Sequence, residues 1–229
     1  MVVGHGLLGK EFSSYEDKGN LLLFCSGVSN STCTNTQEFE RESNLLQQHI
    51  QTHPEKRLVY FSTCSIYDPS QLNRPYVLHK LAMEQLIQEQ HANYLIVRTS
   101  NLVGRTPNPN TVLNFLFNAI LQEEVIELWA HAERNLIDIA DVFKSVNYIL
   151  ENDLFKNKII ALANTTSYSV IDIVSALEQF LGKKAHYTLV DKGQAFEIPL
   201  DDIKLVYETL SIHFDQHYLN RLLARYYTQ

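Results

Sequence analysis

Residues 58–80 read LVYFSTCSIYDPSQLNRPYVLHK, and this stretch carries the strongest structural signal in the chain. Its first four residues are apolar without alternation, which is typical of a parallel strand covered on both faces. Pro75 then precedes a helix. Outward from this unit, the pattern predicts apolar strands at 21–25 and 94–97 and helices near 7–15 and 39–52. Strands alternating with helices predict an α/β fold, a Rossmann-like doubly wound parallel sheet.

The helix after Pro75 is expected to bury an apolar stripe at a 3–4 residue spacing, formed by Leu78, Leu81, Ala82 and Leu86. Beyond residue 98 the sequence pattern changes: it predicts a polar loop at 104–110, followed by more helices. Asp141 is expected to cap one of these helices, and Ser169 with Asp172 another, which Gly182 ends. We expect one domain over 1–229, with a dinucleotide-binding part at 1–103 interleaved with a smaller substrate-binding part at 104–229.

Tyr76 and Lys80 lie one helical turn apart, so their side chains share a face. A phenol with an ordinary pKa of about 10 is a poor acid–base catalyst at neutrality, but a neighbouring ammonium lowers that pKa. Thr63 ends the preceding strand and offers a hydroxyl to a substrate oxygen. The three residues predict proton transfer on an alcohol or ketone, which needs a hydride carrier. The same Tyr-x-x-x-Lys spacing also arises by chance on helix surfaces.

The chain opens with a glycine-rich turn, Gly4-x-Gly6-x-x-Gly9, between a short strand and a helix. Such glycines permit a tight turn and let a pyrophosphate approach the helix N-terminus. Three glycines in six residues also make an ordinary turn. The acidic residue expected about 20 positions further on, to hold a ribose, is absent because Phe24 stands there. NAD and NADP therefore cannot be told apart by this pattern.

Bulk properties narrow the function classes. A formal charge of −7 over 229 residues, with no basic cluster, gives no support for nucleic-acid or anionic-membrane binding. Three cysteines without metal spacing, no leader-like N-terminus and no membrane-length apolar run predict a reduced, cytoplasmic protein. The nine histidines show no ligand spacing, so no metal site is expected.

Five segments, taken in order, resemble the extended short-chain dehydrogenases/reductases of the sugar-nucleotide epimerase/dehydratase type. They are the glycine turn, FSTCSIY at 61–67, the Tyr76/Lys80 pair, RTSNLVG at 98–104 and RNLIDIADV at 134–142. The matching segments run from Gly4 to about residue 181, more than three quarters of the chain. Each segment is modest alone, but five in the right order are specific.

The resemblance implies roles for matching positions, with NAD or NADP as cofactor and a nucleotide sugar as substrate. Tyr76 would be the acid/base, and Lys80 would lower its pKa and hold the nicotinamide ribose. Asn101 would contact the sugar nucleotide, and Arg134 would grip its pyrophosphate. The alternatives are that Asn101 caps a loop and that Arg134 forms an ion pair with Asp138. The implied substrate side also includes Thr63 and Ser65, and the implied cofactor side comprises Gly4, His5, Gly6, Leu7, Leu8, Gly9, Ser26, Gly27, Ser62, Tyr76 and Lys80.

Two departures from the family pattern matter. Cys64 and Ser65 stand where dehydratases carry an Asp-Glu pair, so 4,6-dehydration is disfavoured. The strand at 21–25 resembles the family's fourth strand yet follows the first helix directly, so the second and third strands that build the adenosine pocket are missing. The right-handed crossover rule favours the second strand's place for it, although its sequence favours the fourth. In either place the adenine side is expected to be open and dinucleotide affinity weak or unusual.

The leading hypothesis is an NAD(P)-dependent enzyme that oxidises, reduces or epimerises a hydroxyl or keto group of a nucleotide-activated sugar. A regulatory protein that senses a dinucleotide or sugar nucleotide without chemistry is the first alternative. A structural partner within a larger sugar-modifying assembly is the second. A homodimer is plausible from the resemblance. The sequence does not reveal the sugar, the direction of reaction or its stereochemistry.

Overall fold

The computed structural model describes residues 1–228, and its elements follow in chain order. The strands are β1 (Val2–Val3), β2 (Leu21–Phe24), β3 (Arg57–Thr63), β4 (Tyr94–Thr99), β5 (Asn101–Val103), β6 (Val125–Trp129), β7 (Glu133–Arg134), β8 (Leu136–Asp138), β9 (Lys158–Leu162), β10 (Tyr168–Ser169) and β11 (His186–Val190). The α-helices are α1 (Leu7–Glu11), α2 (Thr36–Thr52), α3 (Pro75–Gln90), α4 (Val112–Leu121), α5 (Ile139–Glu151), α6 (Val170–Leu181), α7 (Lys204–Thr209) and α8 (Tyr218–Tyr226). Short 3-10 turns lie at Ser13–Tyr15, Cys64–Tyr67 and Asp201–Ile203.

A five-stranded parallel sheet in the order β1-β2-β3-β4-β9 forms the centre of the molecule. Every residue of β2 and β3 is buried, because side chains of one strand point alternately to two covered faces. Leu23 and Val59 pack on one face with Phe12. Leu22 and Tyr60 pack on the other with side chains of α2 and α3. The predicted doubly wound parallel α/β fold is confirmed.

The position of β2 corrects one expectation. β2 lies between β1 and β3, so the second strand's place, on the outer side of β1, is wrong and the fourth is right. Helix α1 packs on α5, on the face opposite α2 and α3. The β1–α1–β2 crossover therefore has the opposite hand from the two crossovers through α2 and α3. The right-handed rule fails here for a simple reason. Helix α1 packs on the face that it would cover in a complete sheet, but the second and third strands that would follow it are missing, so the chain crosses directly to β2.

Helix α3 buries two charged side chains together with its apolar contacts, and this corrects a second expectation. Leu78 is 52% exposed, and Ala82 is also exposed, whereas the helix buries Lys80 and Glu84 along with its apolar contacts. Buried charges are tolerated when they are paired and hydrogen-bonded. A stripe predicted from apolar residues alone could not account for those pairs.

The second half of the chain builds a smaller lobe and also adds β9 to the central sheet. Strands β5 and β8, β6 and β11, and β7 and β10 form three two-stranded sheets, and α4, α6 and α8 pack beside them. The Ser169 cap and the left-handed Gly182 at the end of α6 are confirmed. Helix α5, however, is capped by Asp138, whose side chain accepts from the Ala140 N–H, so the Asp141 cap is wrong.

Candidate active site

A cavity of about 690 Å³ opens at the carboxyl ends of the sheet strands. Ligands in open α/β sheets bind at this edge, because loops of neighbouring strands diverge there. Its wall includes all of the predicted site residues except Gly9 and Arg134, namely Gly4, His5, Gly6, Leu7, Leu8, Ser26, Gly27, Ser62, Thr63, Ser65, Tyr76, Lys80 and Asn101.

The three glycines of the turn differ in why a side chain is absent at each position. Gly4 has φ +115°, and a Cβ there would lie 2.7 Å from the Cys25 carbonyl. A Cβ on Gly9 would overlap the Gly4 carbonyl oxygen. Gly6 has an ordinary φ of −72° and nothing within 4 Å of its Cβ position. The fold therefore requires Gly4 and Gly9, whereas Gly6 leaves open space at the N-terminal end of α1, on the cavity wall.

Thr63, Tyr76 and Lys80 converge on this wall. Thr63 ends β3, where its Oγ1 accepts from the Ser65 N–H at 3.1 Å, and its hydroxyl lies near enough to the Tyr76 phenol to lower the pKa of that phenol. The Lys80 ammonium lies 6.0 Å from the centroid of the Tyr76 ring. Each of the three is nearly buried, with 7%, 7% and 2% of its surface exposed. The predicted neighbours are adjacent and face a cavity.

Lys80 is held by a buried carboxylate that the sequence analysis did not single out. Its Nζ donates to Glu42 Oε1 at 2.9 Å and to the Tyr60 hydroxyl at 3.1 Å. Glu42, on α2, also accepts from Tyr60 OH at 2.6 Å, from the Val28 N–H at 2.6 Å and from His79 Nε2 at 3.0 Å. Burial alone raises the pKa of Glu42, but Lys80 and these hydrogen bonds together hold it at about 2. Glu42 is thus an ionised, fully enclosed partner of Lys80.

The ionisation of Tyr76 differs from the expectation. Burial raises the pKa of this phenol, the nearby Thr63 hydroxyl opposes that rise, and the Glu42 charge adds to it. A lowered pKa was predicted from Lys80 alone, and for the ligand-free protein this is wrong. The positive charge of Lys80 faces Glu42, whose position beside Lys80 no sequence pattern predicts.

A second buried ion pair supports the end of β3. Arg98 of β4 donates through Nε at 3.0 Å and Nη2 at 2.6 Å to the two carboxylate oxygens of Glu84. Glu84 also accepts from the Ser62 hydroxyl at 2.5 Å. Arg98 reaches the Tyr67 hydroxyl at 3.0 Å. This bidentate arrangement fixes both the strand end and the 3-10 turn on either side of Thr63.

The charges around the cavity are of one sign. The chain carries 26 acidic residues, yet none lies among the described residues that line the cavity. Lys10, Arg41, Lys80 and Arg105 do line it. Arg41 bonds the Ser26 hydroxyl and carbonyl oxygen, each at 3.1 Å, and pairs with Glu38 at 3.2 Å. A cationic cavity in a protein of charge −7 suits an anionic ligand.

The far end of the cavity is lined by amides and apolar side chains. Asn101 donates to the Asn135 carbonyl oxygen at 2.8 Å. Asn135, which the sequence analysis missed, is buried and accepts from the Asn164 N–H at 2.9 Å. Phe196 and Ile198 complete the wall.

Arg134 does not line the cavity. Its Nη1 donates to the Glu133 carbonyl oxygen at 2.8 Å, and burial lowers its pKa while Asp68 opposes that change. The pyrophosphate grip expected of Arg134 is therefore not seen. The alternative pairing with Asp138 is wrong, because within the described chain Arg134 makes no ion pair with Asp138, which pairs with Arg225 at 3.0 Å. The helical i+4 geometry assumed for that pair is absent, since Arg134 lies in β7 and Asp138 ends β8.

Cys64 and Ser65 occupy the two positions after Thr63. The Cys64 thiol is buried and donates to the Arg98 carbonyl oxygen at 3.2 Å. Burial raises its pKa. Ser65 lines the cavity. Neither is a carboxyl group, so this pair offers no strong acid or base to a ligand.

Across residues 1–228, no helix is long and apolar enough to cross a bilayer, and no cluster of three or more His, Cys, Asp or Glu side chains could hold a metal ion. No match was found among curated protein sequences.

Three solved enzymes show the same fold. UDP-glucuronic acid 4-epimerase from Bacillus cereus, in complex with UDP-glucuronic acid and NAD, is 18% identical with a TM-score of 0.72, over 93% of this chain and 76% of that one. UDP-glucose 4-epimerase from Thermus thermophilus, in complex with NAD, is 15% identical with a TM-score of 0.70, over 95% and 79%. dTDP-glucose 4,6-dehydratase from Bacillus anthracis, in complex with NAD, is 14% identical with a TM-score of 0.66, over 87% and 69%.

The sequence itself supplies the family. The model of the NAD-dependent epimerase/dehydratase family matches residues 28–163, which is more than half of the chain and includes the β3–α3 unit with Thr63, Tyr76 and Lys80. The match begins after the glycine turn. The chain belongs to the NAD-dependent epimerase/dehydratase family.

Proposed function

We propose that this protein is an NAD(P)-dependent enzyme that oxidises, reduces or epimerises a hydroxyl or keto group of a nucleotide-activated sugar. One observation carries the proposal: Thr63, Tyr76 and Lys80 meet on the wall of a single cavity that the glycine turn also lines. The B. cereus and T. thermophilus relatives named above are UDP-sugar 4-epimerases in complex with NAD, which supports this class of substrate and cofactor.

The residues present fit the nicotinamide nucleotide half of NAD or NADP. The open space beside Gly6 admits a phosphate close to the backbone. Two of the three N–H donors of Lys80 are used within the described chain, so one remains for a ribose hydroxyl. No lining carboxylate repels the phosphates. When bound, NAD(P) supplies the acceptor and donor of hydride.

Proton transfer falls to Tyr76 and Thr63. The Thr63 hydroxyl and the Tyr76 phenol lie together, so one substrate oxygen can bond to both. Because burial keeps the phenol protonated near neutrality, Tyr76 is set to donate its proton to a keto oxygen. The reverse step requires the phenolate, which a positive charge brought into the cavity would favour. Both directions use the same pair of hydroxyls, as a reversible epimerisation requires.

The sugar nucleotide is assigned to the amide-lined end of the cavity. Ser65, Asn101 and Asn135 offer hydrogen-bonding groups to sugar or base. We assign the contact with its phosphates to Arg105, which lines the cavity, rather than to Arg134, which does not. An arginine fork suits that role.

A 4,6-dehydration is not proposed, although one relative is a dTDP-glucose 4,6-dehydratase. Elimination of water needs an acid and a base on the sugar. The Cys64 thiol is buried and donates a hydrogen bond to the Arg98 carbonyl oxygen, and Ser65 carries only a hydroxyl. These two observations favour redox or epimerase chemistry.

The proposal is tested with Tyr76→Phe in a turnover assay on UDP-sugars with NAD. The substitution removes one hydroxyl, so folding and ligand binding should persist while turnover falls by about 10²-fold or more. Tyr94→Phe is a matched control, because Tyr94 begins β4 and does not line the cavity. Undiminished turnover in Tyr76→Phe would overturn the assignment.

A sensor without catalysis is the second candidate, and the Glu42–Lys80 pair favours it. In that pair Glu42 counters the positive charge of Lys80, which would otherwise lower the pKa of Tyr76 and activate it. Thermal-shift measurements against NAD, NADP and UDP-, dTDP-, GDP- and CDP-sugars, followed by the turnover assay, separate the two candidates. Stabilisation with product formation supports the enzyme. Stabilisation without product under any cofactor state supports the sensor.

We also propose that the protein forms a homodimer. Leu78 of α3 and Phe115 of α4 are each more than half exposed, and such apolar groups often mark a protein contact. Sedimentation of the whole chain at two concentrations would measure its state. A monomer at both would remove the dimer from the account.

A further inference from the structure

Among residues 1–228, no strand pairs with the outer side of the first strand of this sheet. The order begins with β1, and β2 lies on its inner side. Dinucleotide-binding sheets place one nucleotide half on each side of the first strand, and the strands beyond it carry the adenosine half. Here the chain passes from α1 through the turn at Ser13–Tyr15 directly into β2. No residues are left between them to build a second half.

The outer edge of β1 is met by a side chain. The N–H of Val2 meets the Glu16 carboxylate at 3.4 Å. This contact lies on the side where a second strand would pair, and neither Val2 nor Glu16 lines the cavity.

The side chains that would recognise an adenosine ribose are missing too. No acidic residue within the described chain lines the cavity, although a carboxylate normally binds the ribose hydroxyls of NAD. Arg41, which pairs with Glu38 and bonds Ser26 on the cavity wall, is a hydrogen-bond donor only and cannot replace a carboxylate that accepts from ribose hydroxyls. By contrast, the groups suited to the nicotinamide half are all present, as described above.

We propose that this site recognises the nicotinamide mononucleotide half of its cofactor alone, so that the adenosine half of NAD or NADP adds no binding. The inference rests on the proposed function. Nicotinamide mononucleotide, NAD and NADP then bind the whole chain with equal affinity. The 2′-phosphate that distinguishes NADP lies outside the region the protein contacts, and adenosine monophosphate does not compete.

Isothermal titration of the whole chain with each of the three nicotinamide nucleotides tests this directly. We expect dissociation constants within about tenfold of one another. NAD binding more than about tenfold tighter than the mononucleotide would overturn the inference while leaving the proposed function intact. Binding of none of the three would overturn both. Competition by adenosine monophosphate would also overturn the inference.

A pair of glycine variants sharpens the test. Gly6→Val places a side chain in the open space where a phosphate would approach, without meeting protein atoms. It should weaken the mononucleotide and NAD by the same factor, about tenfold or more. Gly19→Val is the control, because Gly19 also has open space around it and does not line the cavity. A loss for NAD alone in Gly6→Val would contradict the inference.

Discussion

Removing the charge of Glu42 should lower the free energy of unfolding by an amount that the contacts of this side chain allow us to calculate. Glu42→Gln keeps the shape of the side chain but leaves the Lys80 ammonium without its counter-charge in a site where both side chains are at most 3% exposed. Four donors, from Val28, Tyr60, His79 and Lys80, converge on this carboxylate. The amide group of glutamine cannot accept from all of them.

Two routes give the same magnitude. The pKa of Glu42 is held at about 2 against an ordinary 4.5, and at about 1.4 kcal/mol per pKa unit the difference corresponds to about 3 kcal/mol of stability. Breaking a buried ion pair by removing one partner costs about 3–5 kcal/mol. Because the folded pKa is depressed, this stability is present above about pH 4.5 and is lost as the pH falls towards about 2.

Urea unfolding at two pH values measures the effect. At pH 7 the variant should lose about 3 kcal/mol of unfolding free energy, and at about pH 3.5 the gap should narrow by about 1.4 kcal/mol. Glu38→Gln, on the exposed part of the same helix, should change stability by less than about 1 kcal/mol. Glu42→Gln combined with Lys80→Met removes both charges and should recover most of the loss. A loss below about 1 kcal/mol in Glu42→Gln, or a gap that does not narrow in acid, would show that Glu42 is not an ionised partner of Lys80.

Three further outcomes follow from the same contacts. Gly27→Ala puts a Cβ 2.5 Å from Lys80 Nζ, so titration should show cofactor affinity reduced by about tenfold, and unchanged affinity would contradict that packing. Glu84→Gln breaks the bidentate pair with Arg98, so denaturant unfolding should show a loss of about 3 kcal/mol, and near-wild-type stability would exclude a supporting role. Gly4→Ala combines a left-handed φ with a Cβ 2.7 Å from the Cys25 carbonyl, so thermal unfolding should show a loss of about 1–3 kcal/mol, and a neutral result would argue against the turn geometry.

Local patterns were sufficient for much of the fold. The apolar run at 58–61 identified a strand buried on both faces, and Pro75 located the start of α3. Ser169 with Asp172 marked the start of α6. These signals work because a strand, a cap and a fixed φ act over a few neighbouring residues.

Long-range electrostatics lay beyond the sequence. Glu42 differs from Glu38 and Glu40 in no visible pattern, yet it alone is enclosed against Lys80. Tyr76 and Lys80 share one cavity wall, as their spacing predicts, but burial raises the pKa of Tyr76, and Glu42 from another helix adds to that rise. Helical spacing predicts which side chains lie close together, whereas the direction of a pKa shift depends on every charge that packs nearby.

Topology was misread for a related reason. The crossover rule is a statistical preference for how a strand, helix and strand pack, whereas the sequence of β2 already resembled the strand beside β3. The structure follows the strand-to-strand packing, with Leu22 and Leu23 matched to Leu58 and Val59. When segments are missing from a fold, the contacts of the remaining strands decide the order.

Reduction of the nicotinamide on mixing with sugar nucleotide would measure hydroxyl oxidation at this cavity most directly. The whole chain is saturated with NAD and mixed with a UDP-sugar, and the near-ultraviolet absorbance of the reduced nicotinamide is followed in time. We expect this absorbance to rise in the wild-type protein, transiently in an epimerase, and not to rise in Tyr76→Phe. Equal rises in both proteins, or no rise and no epimerised product in the wild type with any sugar nucleotide bound, would contradict this expectation.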